Sequence, residues 1–157
     1  MIECLRIDDR LLHGQVITKW ITQYNPDAIV IADDGVVQDE IAKMALRIAK
    51  PDGMKMSIRS VNDAIALVNS DRTQQMRLFV LVKDTQSAKR IVDGGGSVKT
   101  VNIGGLRSNR DGSRPIVGVI RATQEDLDTI RQIQPLVGEV DVRTVPSEEK
   151  KNILKYL

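Results

Sequence analysis

Seven short apolar runs recur along this chain of 157 residues, and segments with helical spacing separate them. Several runs are nearly continuous in Val, Ile and Leu, which is typical of strands buried on both faces of a parallel sheet. They are MIECLRI (1–7), AIVIA (28–32), MKMSI (54–58), MRLFVLV (76–82), VKTVNI (98–103), IVGVI (116–120) and EVDVRTV (139–145). The alternation predicts an α/β fold, a single domain over residues 1–157 with an open, mostly parallel twisted sheet of about seven strands and helices on both faces.

Two of the intervening segments have an apolar stripe at helical spacing, so each predicts an amphipathic helix. The stripes are Val16, Ile17, Trp20, Ile21 and Tyr24 in the first segment, and Val37, Ile41, Met44, Ala45 and Ile48 in the second. We expect Trp20 and Tyr24 to lie in the core. Capping signals predict further helices after Ser60, Asp84, Thr123 and Ser147.

The balance of residue types excludes several classes of protein. Lys and Arg total 23 against 21 Asp and Glu, and the chain has only one Trp, two Tyr and one Phe. A nucleic-acid-binding surface is therefore not expected. Cys4 is the only cysteine, which excludes an internal disulfide and a thiolate zinc site. The amino terminus lacks a signal-peptide pattern and no apolar run could cross a bilayer, so we expect a cytoplasmic protein.

The segment DDRLLHG (8–14) contains the only histidine of the chain, His13. It follows the first apolar run, so its polar side chains lie in a loop at the carboxyl end of the first predicted strand. They are Asp8, Asp9, Arg10 and His13. Because open parallel sheets bind ligands at the carboxyl ends of their strands, this loop is a candidate functional site.

A helix is predicted to begin at Gly14 and Gln15, so His13 stands at a helix amino terminus. Free backbone N–H groups and the positive end of the helix dipole favour an anion there and disfavour a charged imidazolium. A neutral imidazole is a nucleophile. The same N–H groups would stabilise a phosphoryl group placed on His13.

Four charged side chains complete the candidate site. Arg10 and Arg6 could hold phosphate oxygens. A carboxylate from Asp8 or Asp9 could accept a hydrogen bond from one ring nitrogen of His13 and so fix its tautomer. The spacing alone also fits an alternative in which His13 only caps the helix or bonds locally.

A second loop, within VNIGGLRSNRDGSR (101–114), also follows a predicted strand and could border the same crevice. Gly104 and Gly105 allow close backbone approach, and the loop adds three arginines, which can bind phosphate oxygens. They are Arg107, Arg110 and Arg114. A third segment, ADDG (32–35), has an acidic pair that could bind a metal or cap a helix, and capping is the favoured interpretation.

The string RIDDRLLHGQV, followed by a helix that contains Trp20, resembles the enzyme IIB proteins of the mannose, fructose and sorbose class of the bacterial phosphoenolpyruvate-dependent sugar phosphotransferase system. The resemblance extends over nearly the whole chain. It continues through DDGVVQDEIAKMALRIAKPDGMK, IVDGGGSVKTVNIGG and VDVRTVPSE. It implies a seven-stranded, mostly parallel sheet with helices on both faces.

The resemblance also implies a function. His13 matches the histidine that receives a phosphoryl group from enzyme IIA on Nδ1 and passes it to a sugar bound by the membrane subunits IIC and IID, as a protein-Nπ-phosphohistidine:sugar phosphotransferase does. Arg10 matches the arginine that neutralises the phosphate, and Asp8 and Asp9 match the acidic residues before it. No metal or cofactor is implied. The protein would be cytoplasmic and peripherally associated with the permease.

The chain departs from the resemblance in the loop over 104–115, which is one residue longer and contains an extra arginine. There Arg110 aligns with the family arginine. Lys83, Asp84 and Thr85 replace familiar residues of another loop. Two alternatives stay open: an anion- or nucleotide-binding module, and a regulatory relative without onward transfer. A homodimer is allowed, but no heptad or symmetric pattern predicts one, and the sequence does not specify the sugar.

Overall fold

The structure is a computed structural model that describes the backbone of residues 1–157 and every side chain except those of Gln15 and Val16. The strands are β1 (Ile2–Asp8), β2 (Ala28–Ala32), β3 (Lys55–Arg59), β4 (Leu78–Val82), β5 (Val98–Gly105), β6 (Arg114–Val117), β7 (Ile120–Ala122), β8 (Glu139–Val142) and β9 (Lys151–Asn152). The helices are α1 (Gly14–Tyr24), α2 (Glu40–Ala49), α3 (Val61–Val68), α4 (Thr85–Gly94) and α5 (Gln124–Ile133).

The main sheet has seven strands in the order β3-β2-β4-β1-β5-β8-β9. Its strands pair in parallel except at one edge, where β9 is antiparallel to β8. The predicted α/β fold with a mostly parallel sheet is therefore confirmed.

The main sheet includes one strand that the sequence did not predict, and one predicted strand lies outside the main sheet. The apolar run 116–120 forms parts of β6 and β7, which pair as a separate antiparallel hairpin. Gly118, at a φ of +51°, makes its turn. The seventh strand of the main sheet is instead β9. The prediction for 116–120 was wrong because a five-residue apolar run does not distinguish one buried strand from a tight hairpin.

Helices cover both faces of the sheet, and alternate strand residues belong to two apolar clusters. On one face α1 and α2 pack through residues such as Ile17, Trp20 and Leu46 against Cys4, Ile29 and Phe79. On the other face α3, α4 and α5 pack through residues such as Ala64, Ile91 and Ile130 against Leu5, Ile7 and Val80. Trp20 is fully buried and Tyr24 packs partly buried against the same cluster, as predicted, and Cys4 is fully buried as well.

The apolar stripe predicted on α2 faces away from the sheet. Ile41, Met44 and Ile48 are 83%, 62% and 80% exposed, whereas Leu46 is buried. Ala42 and Ala49 pack beside Leu46 against the core. Because small side chains let a helix lie close to a sheet, the buried arc of α2 is the alanine-rich one, and the larger side chains point outward.

Local start signals predicted three of the helices correctly. Ser60 accepts a hydrogen bond from the Asp63 N–H, Asp84 accepts one from the Ser87 N–H, and Thr123 forms a complete capping box with Asp126. No helix begins at Ser147, since residues 145–148 form a turn that leads to β9, and a short 3₁₀ helix (Ile153–Tyr156) comes only after that strand. None of the described helices is both long enough and apolar enough to cross a bilayer.

Strand order positions the candidate site. β1 lies between β4 and β5, and the chain leaves β1 through α1 toward β2, whereas it leaves β5 through the hairpin and α5 toward β8 on the other side. Neighbouring connections that diverge in this way open a crevice at the carboxyl ends of the strands. Asp8 pairs with Gly105 at this point, so the two predicted loops meet there.

Candidate functional site

The carboxylate of Asp8, the last residue of β1, is the centre of the crevice and is fully buried. Its Oδ2 accepts a hydrogen bond from Arg6 Nη2 at 3.0 Å and lies 3.4 Å from His13 Nε2. Its Oδ1 lies 3.4 Å from Arg10 Nε and 3.8 Å from Arg107 Nη1. We call Asp8 with Arg6, Arg10, His13 and Arg107 the Asp8 cluster. One carboxylate thus gathers three guanidinium groups and the imidazole.

His13 is the N-cap residue of α1, with an extended backbone, but its side chain makes no capping hydrogen bond. Its Nε2 is buried and makes no hydrogen bond to any of the described residues, and the side chain as a whole is 25% exposed. The ring is therefore held at one edge and accessible elsewhere. This placement does not support the alternative in which His13 serves only as a local cap.

Burial lowers the pKa of His13 below its ordinary value. The positive charges of Arg10 and Arg107 act in the same direction, and the Asp8 carboxylate opposes them. The imidazole is therefore neutral at neutral pH. The direction is the predicted one, but burial is its main cause.

The loop that presents His13 includes a strained residue. Leu11 has a φ of +55°, in the left-handed region that non-glycine residues rarely adopt. Its side chain is buried, and its N–H donates to the Asp8 carbonyl at 2.9 Å. Such strain costs about 1–2 kcal/mol and persists where surrounding contacts determine the backbone.

Arg6 lies beneath the crevice rather than in it. It is buried, and besides Asp8 its guanidinium donates to Asn102 Oδ1 and to the carbonyls of Arg143 and Thr144. Strand alternation explains the position, because residues 6 and 8 of one strand face the same side. Arg6 therefore orients Asp8, and its bonded nitrogens already have protein acceptors.

A buried polar network continues below Arg6, and sequence reasoning missed it. Asn102 donates to Asp141, which forms an ion pair with Arg143 at 2.8 Å. Arg6 and Arg143 both contact the Trp20 ring, at 5.1 Å and 5.2 Å from its centroid. Polar residues within the apolar runs of β5 and β8 were the sequence feature that could have indicated this network. The network supports the floor of the site.

Asp9 joins the two loops. Its Oδ2 accepts hydrogen bonds from the Arg107 N–H at 2.7 Å and from the Ser108 N–H and hydroxyl at 3.0 Å. Its own N–H donates to the Gly105 carbonyl at 2.8 Å. Asp8, and not Asp9, is therefore the carboxylate found beside the His13 ring.

The glycine pair makes room for guanidinium groups. A Cβ on Gly104 would overlap the guanidinium of Arg6, and one on Gly105 would overlap Arg107 Nη1 and lie 2.8 Å from Asp8 Oδ1. A side chain at either position would displace an arginine from Asp8. The pair is thus required by the close approach of side chains inside the protein.

The three loop arginines lie in different surroundings. Arg110 forms an ion pair with Asp126 at 2.9 Å and donates to the Arg121 carbonyl, which attaches the loop to the start of α5. Arg114 is exposed on β6. Arg107 is the one of the three that contacts Asp8. The structure thus places Arg107, rather than the aligned Arg110, in the Asp8 cluster.

The remaining predicted site residues are placed as follows. Asp33 accepts a hydrogen bond from the Val36 N–H, and Asp34 accepts bonds from the Val61 N–H and from Arg90. The two bonds from backbone N–H groups fit the capping interpretation of the acidic pair. Among the described side chains, no group of three or more His, Cys, Asp or Glu could hold a metal. Gly14 opens α1, and the side chain of Gln15 lies outside the described ones.

Comparison with known proteins gives consistent matches along the full chain. The family model described as "PTS system sorbose subfamily IIB component" matches residues 2–157. The sorbose-specific EIIB component of Klebsiella pneumoniae is 34% identical over 153 residues, which cover 98% of this chain and 93% of that protein. The mannose-specific EIIAB component of Escherichia coli K12 is 28% identical over 157 residues, covering all of this chain and 48% of that protein.

Solved structures match as well. The crystal structure of the IIBSor domain of the sorbose permease from Klebsiella pneumoniae superposes with a TM-score of 0.91 at 33% identity. The match covers 99% of this chain and 96% of that one. The fold of that domain therefore matches the fold of this chain over nearly its whole length.

Proposed function

This chain belongs to the sorbose subfamily of IIB components of the phosphotransferase system, and on that premise we propose that it is a phosphocarrier. His13 accepts a phosphoryl group from phosphorylated enzyme IIA and passes it to a sugar bound by the membrane subunits IIC and IID. One observation carries the proposal. His13 Nε2 is buried and lies 3.4 Å from Asp8 Oδ2, while the rest of the ring is accessible.

That contact selects the reacting nitrogen. A carboxylate beside Nε2 favours the tautomer in which Nε2 bears the proton, which leaves the lone pair on Nδ1. Nε2 is buried, so Nδ1 is the nitrogen available to a partner protein. The lowered pKa of His13 keeps the ring neutral and therefore nucleophilic.

The transfer step requires no proton movement at His13. The Nδ1 lone pair forms a bond to phosphorus, and the bond from phosphorus to the donor's histidine nitrogen breaks, with its electron pair returning to the donor ring. Onward transfer forms a bond between a sugar hydroxyl oxygen and phosphorus, breaks the Nδ1–P bond, and releases the hydroxyl proton. Both steps depend on positioning and on charge compensation at the phosphoryl oxygens.

Two kinds of donor supply that compensation. Arg10 is 39% exposed and stands beside the same Asp8 carboxylate as His13, so its guanidinium can turn toward a phosphoryl group on the ring. The first turn of α1, which begins at Gly14, has free backbone N–H groups that favour an anion. Asp8 orients the ring, and Arg6 orients Asp8.

The partners follow from family membership. The similarity of this chain to 48% of the mannose-specific EIIAB component supports an enzyme IIA as the phosphoryl donor. The sorbose-specific name of the Klebsiella relative supports a sugar as the final acceptor. The protein would act in the cytoplasm at the membrane face of IIC and IID.

Phosphorylation of the purified protein tests the proposal. Tag-free protein is incubated with phosphoenolpyruvate, enzyme I, the histidine phosphocarrier and a mannose-class IIA, and its intact mass is measured. Since His13 is the only histidine of the chain, one acid-labile phosphoryl group in the wild type and none in His13→Ala identifies the site. Saturable nucleotide binding without phosphorylation by any of a panel of IIA proteins would contradict the proposal and favour a binding module.

A further inference from the structure

We propose that Arg107 is a second phosphate-binding guanidinium of this site, which donates a hydrogen bond to the phosphoryl group carried on His13 beside that of Arg10. The inference rests on the proposed function. It concerns the extra arginine of the loop over 104–115, and it gives this chain one more phosphate contact than Arg10 and the helix amino terminus supply.

The first observation is an unpaired donor. Arg107 Nη1 is buried and has no hydrogen-bond partner among the side chains and backbone groups that the structure describes. Its nearest anionic atom, Asp8 Oδ1, lies 3.8 Å away, too far for a hydrogen bond. Buried donors without an acceptor are rare because they lose hydration without replacing it. An acceptor that arrives with a ligand resolves this deficit.

The second observation is that Arg107 and His13 share one carboxylate. His13 Nε2 lies 3.4 Å from Oδ2 of Asp8, and Arg107 Nη1 lies 3.8 Å from Oδ1 of the same side chain. The guanidinium and the imidazole therefore stand beside one another around Asp8. The positive charge of Arg107 acts to lower the pKa of His13, after the larger effects of burial, Asp8 and Arg10.

The third observation is that neighbouring residues hold Arg107 in place. Asp9 fixes the backbone of Arg107 through its N–H, and Gly105 leaves the space that Nη1 occupies. The Arg107 side chain is 28% exposed, so it lies between the buried floor and the open crevice. Arg6 and Arg110, in contrast, already have protein acceptors.

The charges of the site lead to the same conclusion. The Asp8 cluster has three guanidinium groups and one carboxylate around a neutral imidazole. The nearby Asp9 carboxylate accepts from backbone N–H groups and the Ser108 hydroxyl. The cluster is therefore positively charged before phosphorylation. A phosphoryl group on His13 brings negative charge, and a guanidinium with an unpaired Nη1 is a donor that matches its oxygens.

The phosphoryl equilibrium with enzyme IIA tests the inference. A limiting amount of phosphorylated IIA is mixed with each variant, and intact mass gives the fraction of phosphoryl group on each protein. Arg107→Gln should shift the equilibrium toward IIA by about tenfold, the effect of losing one charge-assisted hydrogen bond. Arg107→Lys, which keeps the charge without the planar fork, should restore part of the loss.

Arg114→Gln is the matched control, because it removes the same charge from an exposed position of the same loop. If Arg107→Gln shifts the equilibrium no more than Arg114→Gln, the inference is wrong while the proposed function stands. If the wild type accepts no phosphoryl group from any IIA, the proposed function fails and the inference fails with it.

A second measurement applies to the unphosphorylated protein. The pKa of His13, followed by NMR, should rise in Arg107→Gln and stay at the wild-type value in Arg114→Gln. Thermal unfolding of each variant separates this effect from a fold defect, since a merely structural role would lower the Tm without moving the pKa or the equilibrium.

Discussion

The guanidinium of Arg6 lies 5.1 Å from the centre of the Trp20 ring, and the indole N–H of Trp20 donates to the Thr144 carbonyl at 2.8 Å. Arg6 donates to the same carbonyl at 3.1 Å and to Asp8 at 3.0 Å. The tryptophan of α1 therefore does more than fill the core. It holds in place the arginine that orients Asp8, so the core packing and the chemistry of the site are coupled.

Trp20→Phe should destabilise the protein by about 1–3 kcal/mol. The variant loses the hydrogen bond to Thr144, part of the packing volume and the better cation–π surface of the indole. Urea unfolding followed by far-UV circular dichroism measures the loss. An unchanged midpoint would show that the Arg6–Trp20 contact contributes nothing to stability.

Asp8→Asn should slow phosphorylation of His13 by roughly 10- to 100-fold, the range expected for the loss of an interaction with a charged group. An amide can donate to Nε2 and so favour the tautomer that protonates Nδ1. The nitrogen chemical shifts of His13 should report this change of tautomer. Asp9→Asn is the comparison variant. It weakens the hydrogen bonds between the two loops and should leave the tautomer of His13 unchanged.

The pKa of His13 should lie below that of a histidine in an unfolded chain, about 6.5, because burial disfavours the charged ring. The unfolded chain then binds more protons than the folded one between these two pKa values. The contribution of His13 to the free energy of unfolding should therefore be fully present above about pH 6.5. It should decrease as the pH is lowered from there to the pKa of His13 in the folded protein.

Unfolding at several pH values, in parallel with His13→Gln, measures this contribution. The wild type should lose more stability than the variant in that window. Equal pH profiles would contradict the prediction.

Gly105→Ala should reduce phosphorylation of His13, because the added Cβ overlaps Arg107 Nη1 and crowds Asp8 Oδ1. Gly104→Ala should mainly reduce stability, since it displaces the buried Arg6. Gly35→Ala is the matched control. Its Cβ would lie 3.4 Å from Asp33 Oδ2, an ordinary contact, and its backbone is right-handed helical. A phosphorylation rate in Gly105→Ala equal to that of Gly35→Ala would refute the role of the glycine.

Local patterns were sufficient for much of the fold. The continuous apolar runs identified the strands from β1 to β5 and β8, because a strand buried on both faces has little choice of residue. Thr123 and Asp126 identified the start of α5, because a capping box involves only four neighbouring residues. For the same reason the string around His13 indicated a loop between a strand and a helix.

Contacts between distant segments could be learned only from the tertiary structure. The outward face of α2 depends on which arc packs closest to the sheet, and the pairing of β9 depends on the turn before it. Arg6 and Asp8 were visible as neighbours, but Arg107 reaches Asp8 only because β5 pairs beside β1, about a hundred positions along the chain.

The sequence by itself therefore determined most of the secondary structure and identified His13 as the candidate nucleophile, because periodicity, capping and a short motif act over a few residues. The tertiary structure alone decided which carboxylate faces His13 and which arginine joins it. Those choices depend on strand order, on the space left by two glycines and on the burial that lowers the pKa of His13.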